Sequence, residues 1–218
     1  MADSALQRKN MVESQVRPSD VTDRRITAAM QDIARETFVP SQADRTLAYI
    51  DGALPVGSGR AMTAPRTLAR LLQLARVDAT SKVLVVGALT GYCAAILARM
   101  AAKVVALEAD ATLAAAAREN LAREGAANVE VVQGELPAGY GASAPYDAIV
   151  VDGAIDEVPE ALAAQLGEGG RLVAIEAGAG LGQAVVITKT ANALSKRVAF
   201  EAGAPALPGF ARPAGFVF

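Results

Sequence analysis

Apolar and polar positions alternate along the chain in blocks that mark strands and helices in turn. Residues 83–86 are a short β-branched apolar run, VLVV, that stops at Gly87. A glycine-bounded turn, GALTG, leads into residues 92–99, which have a helical pattern, and a second apolar run follows at 103–107 with Glu108 at its tip. Runs without a polar face predict parallel strands covered on both sides by helices. Further strands are expected at 128–132, 147–151 and 171–175, with a short helix around 159–166 and a turn at 168–170. Residues 183–190 and 194–201 flank Ala191-Asn192-Ala193 and read as a hairpin. The sum is an α/β chain with a doubly wound, Rossmann-like sheet, mostly parallel, ending in a C-terminal antiparallel hairpin.

The N-terminal third adds helices in front of that sheet. Residues 4–16 suit a helix that ends before Arg17-Pro18, and Ser19 or Asp20 can cap a second. That helix places Ile26, Met30, Ile33 and Ala34 on one face and stops near Phe38-Val39-Pro40, as a lid or brace. Glycines and prolines across 49–65 exclude a long regular element there. Pro65 opens the next helix, with Leu68, Leu71, Leu72 and Ala75 as its buried stripe. Thr63 lies just outside that helix, where the plain role for a hydroxyl is a cap. Asp110 is expected to cap a helix reaching about Glu124. The Pro/Gly-rich tail from 205 to 218, with Phe210, Phe216 and Phe218, is expected to pack as an extended strap. One domain accounts for all of this: a helical, acceptor-side segment at 1–65, an α/β core at 66–202 and the strap at 203–218.

Composition narrows the chemistry. With 52% hydrophobic residues in 218, the chain can bury a full core. A net charge of −2 without basic blocks argues against a nucleic-acid surface. A single cysteine permits no internal disulfide, so a reducing compartment is expected. The opening MADSALQRKN has no apolar leader core, and no apolar stretch is long enough for a membrane span. A soluble cytoplasmic protein is the expectation. Histidine is absent, which excludes Ser-His-Asp or Cys-His nucleophilic machinery and His-ligated metals, and one cysteine builds no zinc site. Cys93 reads as a small buried helix residue.

The strand, tight turn, helix and acid-tipped second strand form a nucleotide-binding half-unit. In such a unit the turn's N–H groups face the ligand and the acid accepts from ribose hydroxyls. Glu108 follows Gly87 by 21 residues, near the roughly 20 such a unit uses. The turn is not G-x-G-x-x-G, because Leu89 takes the middle position, and this weakens a dinucleotide reading. A sheet ending in a hairpin suits S-adenosylmethionine better. A plain packing turn remains the alternative.

Taken together, MVESQV at 11–16, FVP at 38–40, AYIDGALPVGSGRAMTAP at 48–65 and the central half-unit resemble the protein-L-isoaspartate O-methyltransferase family. The likeness continues in order through PYDAIVVDGAIDEVPEAL and LGEGGRLV. It implies a methyltransferase that uses S-adenosyl-L-methionine to methylate the free carboxylate of isoaspartyl residues in damaged proteins. It also implies that Thr63 stands beside the acceptor carboxylate and that Asp51 is the acid of the preceding segment. On the cofactor side it implies Gly87, Ala88, Leu89, Thr90 and Gly91 in the loop, Glu108 and Ala109 at the ribose, Glu135 and Leu136 near the adenine, and Asp152. No nucleic-acid or membrane partner is implied. The chemistry agrees with the composition, because a carboxylate with a pKa of roughly 4 is already ionised at pH 7 and needs no general base.

Four positions depart from the family pattern. Val85 stands where an acid is usual, and Leu89 replaces a glycine, where a β-carbon crowds the ligand or forces another backbone angle. Asp152 replaces a threonine, and Glu176 falls in a neutral stretch, so both bring negative charge toward the mouth. Either Asp152 holds the cofactor ammonium in place of the acid lost at Val85, or the acceptor is not a carboxylate, or the site is silent. Arg60 and Arg66 flank Thr63 as grips for an acidic acceptor or as solvated helix-end arginines. Two other functions stay in view: a catalytically silent or re-targeted methyltransferase-like binding protein, and an NAD-type oxidoreductase.

Overall fold

The computed structural model describes residues 2–41, 44–178, 180–191 and 193–211. Seven strands form one sheet: β3 (Lys82–Val86), β4 (Lys103–Glu108), β5 (Val129–Gln133), β6 (Tyr146–Ile155), β7 (Leu166–Glu176), β8 (Gln183–Thr190) and β9 (Ala193–Glu201), in the order β5-β4-β3-β6-β7-β8-β9. Neighbours from β5 to β7 are parallel, while β8 runs antiparallel to both β7 and β9. β3 lies between β4 and β6, Val86 pairing with Leu107 on one side and Val151 on the other. The chain winds outward from β3 in both directions, so the carboxyl ends of β3 and β6 border the crevice where such sheets bind ligands.

Period-two alternation sends β3 to two separate cores. Val83 and Val85 join the larger one, with Leu68, Leu71 and Leu72 of α3 (Pro65–Ala75), Ile96 of α4 (Tyr92–Ala98) and Leu121 of α5 (Ala111–Arg123). Leu84 and Val86 join the smaller one, with Leu162 of the short α6 (Glu160–Ala163), Leu136, Leu207 and Phe210. Long helices therefore cover one face only. On the other, the C-terminal strap does part of a helix's work, with Ala206 bridging to Ala154 of β6. Phe216 and Phe218 lie outside the described residues.

In front of the sheet come α1 (Ala2–Met11), a π-helical turn at Val12–Val16 and α2 (Arg24–Asp32). The α2 cap is Asp23, whose side chain accepts from Arg25 N–H, rather than Ser19 or Asp20. Asp20 has a left-handed φ of 62° and closes the preceding turn instead. α2 ends at Asp32, before Phe38-Val39-Pro40, and Arg35–Phe38 is a separate 3₁₀ turn. The irregular stretch before α3 contains a small hairpin, β1 (Leu54–Gly57) and β2 (Arg60–Met62). Asp110 caps α5 as expected, accepting from the N–H groups of Thr112 and Leu113.

Candidate functional site

The turn after β3 is held by its own N–H groups. Gly87 and Ala88 both donate to Leu107 O, Gly91 donates to Ala88 O, and Leu89 N–H donates to Glu108 Oε2 at 2.7 Å. The expectation that these donors face a ligand is therefore corrected: they stitch β3, β4 and α4 together. Leu89 has a left-handed φ of 53°, which costs a residue with a β-carbon roughly 1–2 kcal/mol. Its side chain is buried. The loop therefore keeps a glycine-type backbone angle at Leu89 instead of shifting to another one, and the buried side chain takes up space beside it.

Glu108 is fully buried and heavily engaged. Oε1 accepts from Ala109 N–H at 2.9 Å, Asp110 N–H at 3.1 Å and Arg60 Nη1 at 2.8 Å, and Arg60 Nη2 lies 3.4 Å from Oε2. Arg60 is therefore neither a solvated arginine nor a grip for an acceptor. The β1–β2 hairpin delivers its guanidinium to the acid of the half-unit, and the pair is closed to solvent. Arg66 instead pairs with Asp51 at 2.9 Å on the surface, both side chains partly exposed.

A second cluster lies under the hairpin. Thr63, Leu89, Thr90 and Asp152 meet Arg35 and Tyr92 around a cavity of about 10 Å³, room for about one water. Ala64, not Thr63, caps α3, and the buried Thr63 hydroxyl faces the Asp152 carboxyl without a well-formed hydrogen bond among the described residues. Asp152 Oδ1, Arg35 Nη1 and Tyr92 Oη likewise have none. Arg35 donates through Nε to Ala48 O and through Nη2 to Thr63 O, and its guanidinium lies 4.8 Å from the Tyr92 ring centre. Burial lowers the Arg35 pKa, raises that of Tyr92 to about 12 and raises that of Asp152. The Thr63 hydroxyl, then the charges of Arg35 and Arg60, oppose the rise at Asp152, and Glu108 adds to it. Thr90 anchors the loop to the N-terminal segment, donating to Phe38 O at 2.6 Å.

The remaining candidates separate. Leu136 is buried in the smaller core, while Glu135 is exposed. Glu176 brings no free charge to the mouth, because Lys196 pairs with it at 2.6 Å and Val158 N–H donates to it. Val85 is buried in β3. Three residues of the site were not singled out from sequence, Arg35, Tyr92 and Leu207. Leu207 is buried against the turn after β3 and the last part of β6: a β-carbon at Gly87 would stand 2.9 Å from Leu207 Cδ2, and one at Gly153 2.6 Å from Cγ. A lone leucine between Pro205 and Pro208 is the only signal the sequence offers.

The chain's own side chains occupy the crevice. The acid is taken by Arg60, the floor by Leu207, and the cavity beside Asp152 is of water size.

The model of the protein-L-isoaspartate(D-aspartate) O-methyltransferase family matches residues 6–201. The chain is 46% identical over 168 residues to protein-L-isoaspartate O-methyltransferase of Methanoculleus marisnigri, covering 77% of this chain and 76% of the relative. It is 42% identical over 183 residues to that of Methanoregula boonei, covering 84% of each. A solved structure titled protein-L-isoaspartate O-methyltransferase superposes with a TM-score of 0.81 at 26% identity, over 93% of this chain and 66% of that one. A Plasmodium falciparum structure in complex with S-adenosyl-L-homocysteine shares the fold, with a TM-score of 0.77 at 22% identity over 92% of this chain and 97% of that one.

Proposed function

The chain belongs to the protein-L-isoaspartate(D-aspartate) O-methyltransferase family, and from this we infer that it is an enzyme transferring a methyl group from S-adenosyl-L-methionine to the free carboxylate of L-isoaspartyl residues in damaged proteins. The observation that carries this is the family match over residues 6–201, which takes in the acceptor-side segment before the sheet as well as the cofactor half.

The reading assigns the acceptor side to Thr63 and Asp51. The cofactor side falls to residues 87–91, Glu108, Ala109, Glu135, Leu136 and Asp152. Supporting it, Thr63 and Asp152 share one buried cluster, and Glu108 is fixed by three backbone donors at the crevice. What the chain must supply is alignment of an already ionised carboxylate, a positioning task that needs no imidazole. Its partners are isoaspartyl-containing proteins and peptides, residues 1–218 act as a single methyltransferase-like domain, and it works in the cytoplasm. Among the described residues no helix is long and apolar enough to cross a membrane. Incubation with S-adenosyl-L-methionine and paired isoaspartyl and aspartyl peptides tests the reading; ester should form on the isoaspartyl peptide alone.

A further inference from the structure

Three contacts fill the crevice at the carboxyl ends of β3 and β6 with the chain's own atoms. Arg60 offers two nitrogens to the two oxygens of Glu108, the positions a vicinal diol would use. Leu207 lies in the space that Gly87 and Gly153 leave by having no side chain. Gly209 lies so close to Pro137 that a β-carbon there would stand 3.2 Å from the ring, so the tail also crosses the turn that carries Glu135 and Leu136. We propose that Arg60 and residues 205–209 form an intramolecular latch that holds the donor crevice shut, and that the donor enters only by displacing both. This inference rests on the methyltransferase reading and concerns the regulation of that same site.

The latch is built to let go. Two backbone hydrogen bonds hold the strap to β6, Ala154 N–H to Pro205 O at 2.7 Å and Leu207 N–H to Ala154 O at 2.8 Å. Those two bonds make an isolated bridge rather than a strand. When Arg60 leaves, Glu108 keeps its bonds from Leu89, Ala109 and Asp110, so the acid stays aimed and regains lone pairs. Leu207 lies beyond residue 201, where the match to the family model ends. A donor that binds only the open form has its apparent affinity reduced by the fraction of molecules that are open.

Calorimetric titration with S-adenosyl-L-homocysteine of the full chain, Arg60→Gln, Leu207→Ala and the double variant tests the latch. Each single variant should bind at least about 5-fold more tightly than the wild type, and the double more tightly still. Binding seen only in the variants counts the same way. Backbone hydrogen exchange on the wild type needs no substitution: saturating ligand should speed exchange at Leu207, whose N–H bonds Ala154. It decides the matter if a variant fails to fold. Equal affinity in all four proteins, with Leu207 exchange unchanged by ligand, overturns the latch and leaves the methyltransferase reading standing. No binding by any of the four at millimolar ligand overturns both.

Discussion

Arg60 Nη1 lies 2.8 Å from Glu108 Oε1, with the two side chains 5% and 0% exposed, so one ion pair joins the β1–β2 hairpin to the tip of β4. The two ends of this pair are unequal. Glu108→Ala leaves a buried guanidinium unpaired and three N–H groups without their acceptor, and should cost about 3–5 kcal/mol. Arg60→Gln should cost less, because the carboxylate keeps its three backbone donors. Urea midpoints of the two variants give the order directly, and a larger loss for Arg60→Gln would contradict it.

At Leu89 two effects oppose. Leu89→Gly relieves a left-handed backbone worth roughly 1–2 kcal/mol but removes a buried side chain worth about 2–5 kcal/mol. Packing wins, so the variant should be less stable by about 1–3 kcal/mol, as read from denaturant unfolding.

Thr63 carries a buried hydroxyl that faces Asp152 without a well-formed hydrogen bond in a closed cluster. Thr63→Val keeps the shape and removes that hydroxyl, so stability should hold to within about 1 kcal/mol or rise. Methyl transfer to an isoaspartyl peptide should fall, which separates a role at the acceptor from a structural one.

Burial holds the Asp152 pKa above its ordinary 3.8, so the folded state binds this proton more tightly than the unfolded chain. Stability from this residue is therefore greatest at low pH and is lost as pH rises from about 4 through the raised value. Relative to Asp152→Asn, the wild type should lose ground over that window and show no further change above it. A difference that stays flat with pH would contradict this.

Cys93 is buried, and burial pushes its thiol well above the usual range. In the native protein it should stay unmodified by a disulfide reagent at pH 8 and react at once in denaturant.

Much of this was legible in the pattern of residues. Apolar runs such as 83–86 and 103–107 must be buried whichever chain they belong to, and Asp110 caps α5 by purely local geometry. The doubly wound, mostly parallel sheet with its terminal hairpin followed from the alternation of elements. What local pattern did not disclose was contact across the fold. Arg60 looked like an arginine at a helix end, and its partner 48 positions later became plain only when the hairpin folded over β4. Leu207 gave no periodic signal at all, because a strap packs by position and not by repeat. The loop donors escape local pattern for the same reason, since Leu107 O, which captures two of them, lies on another strand.

The most direct measurement is methyl ester formation on an isoaspartyl peptide and its aspartyl isomer, each incubated with the purified chain and S-adenosyl-L-methionine. Ester on the isoaspartyl peptide alone is the predicted result. Ester on neither peptide, or equally on both, would contradict the account.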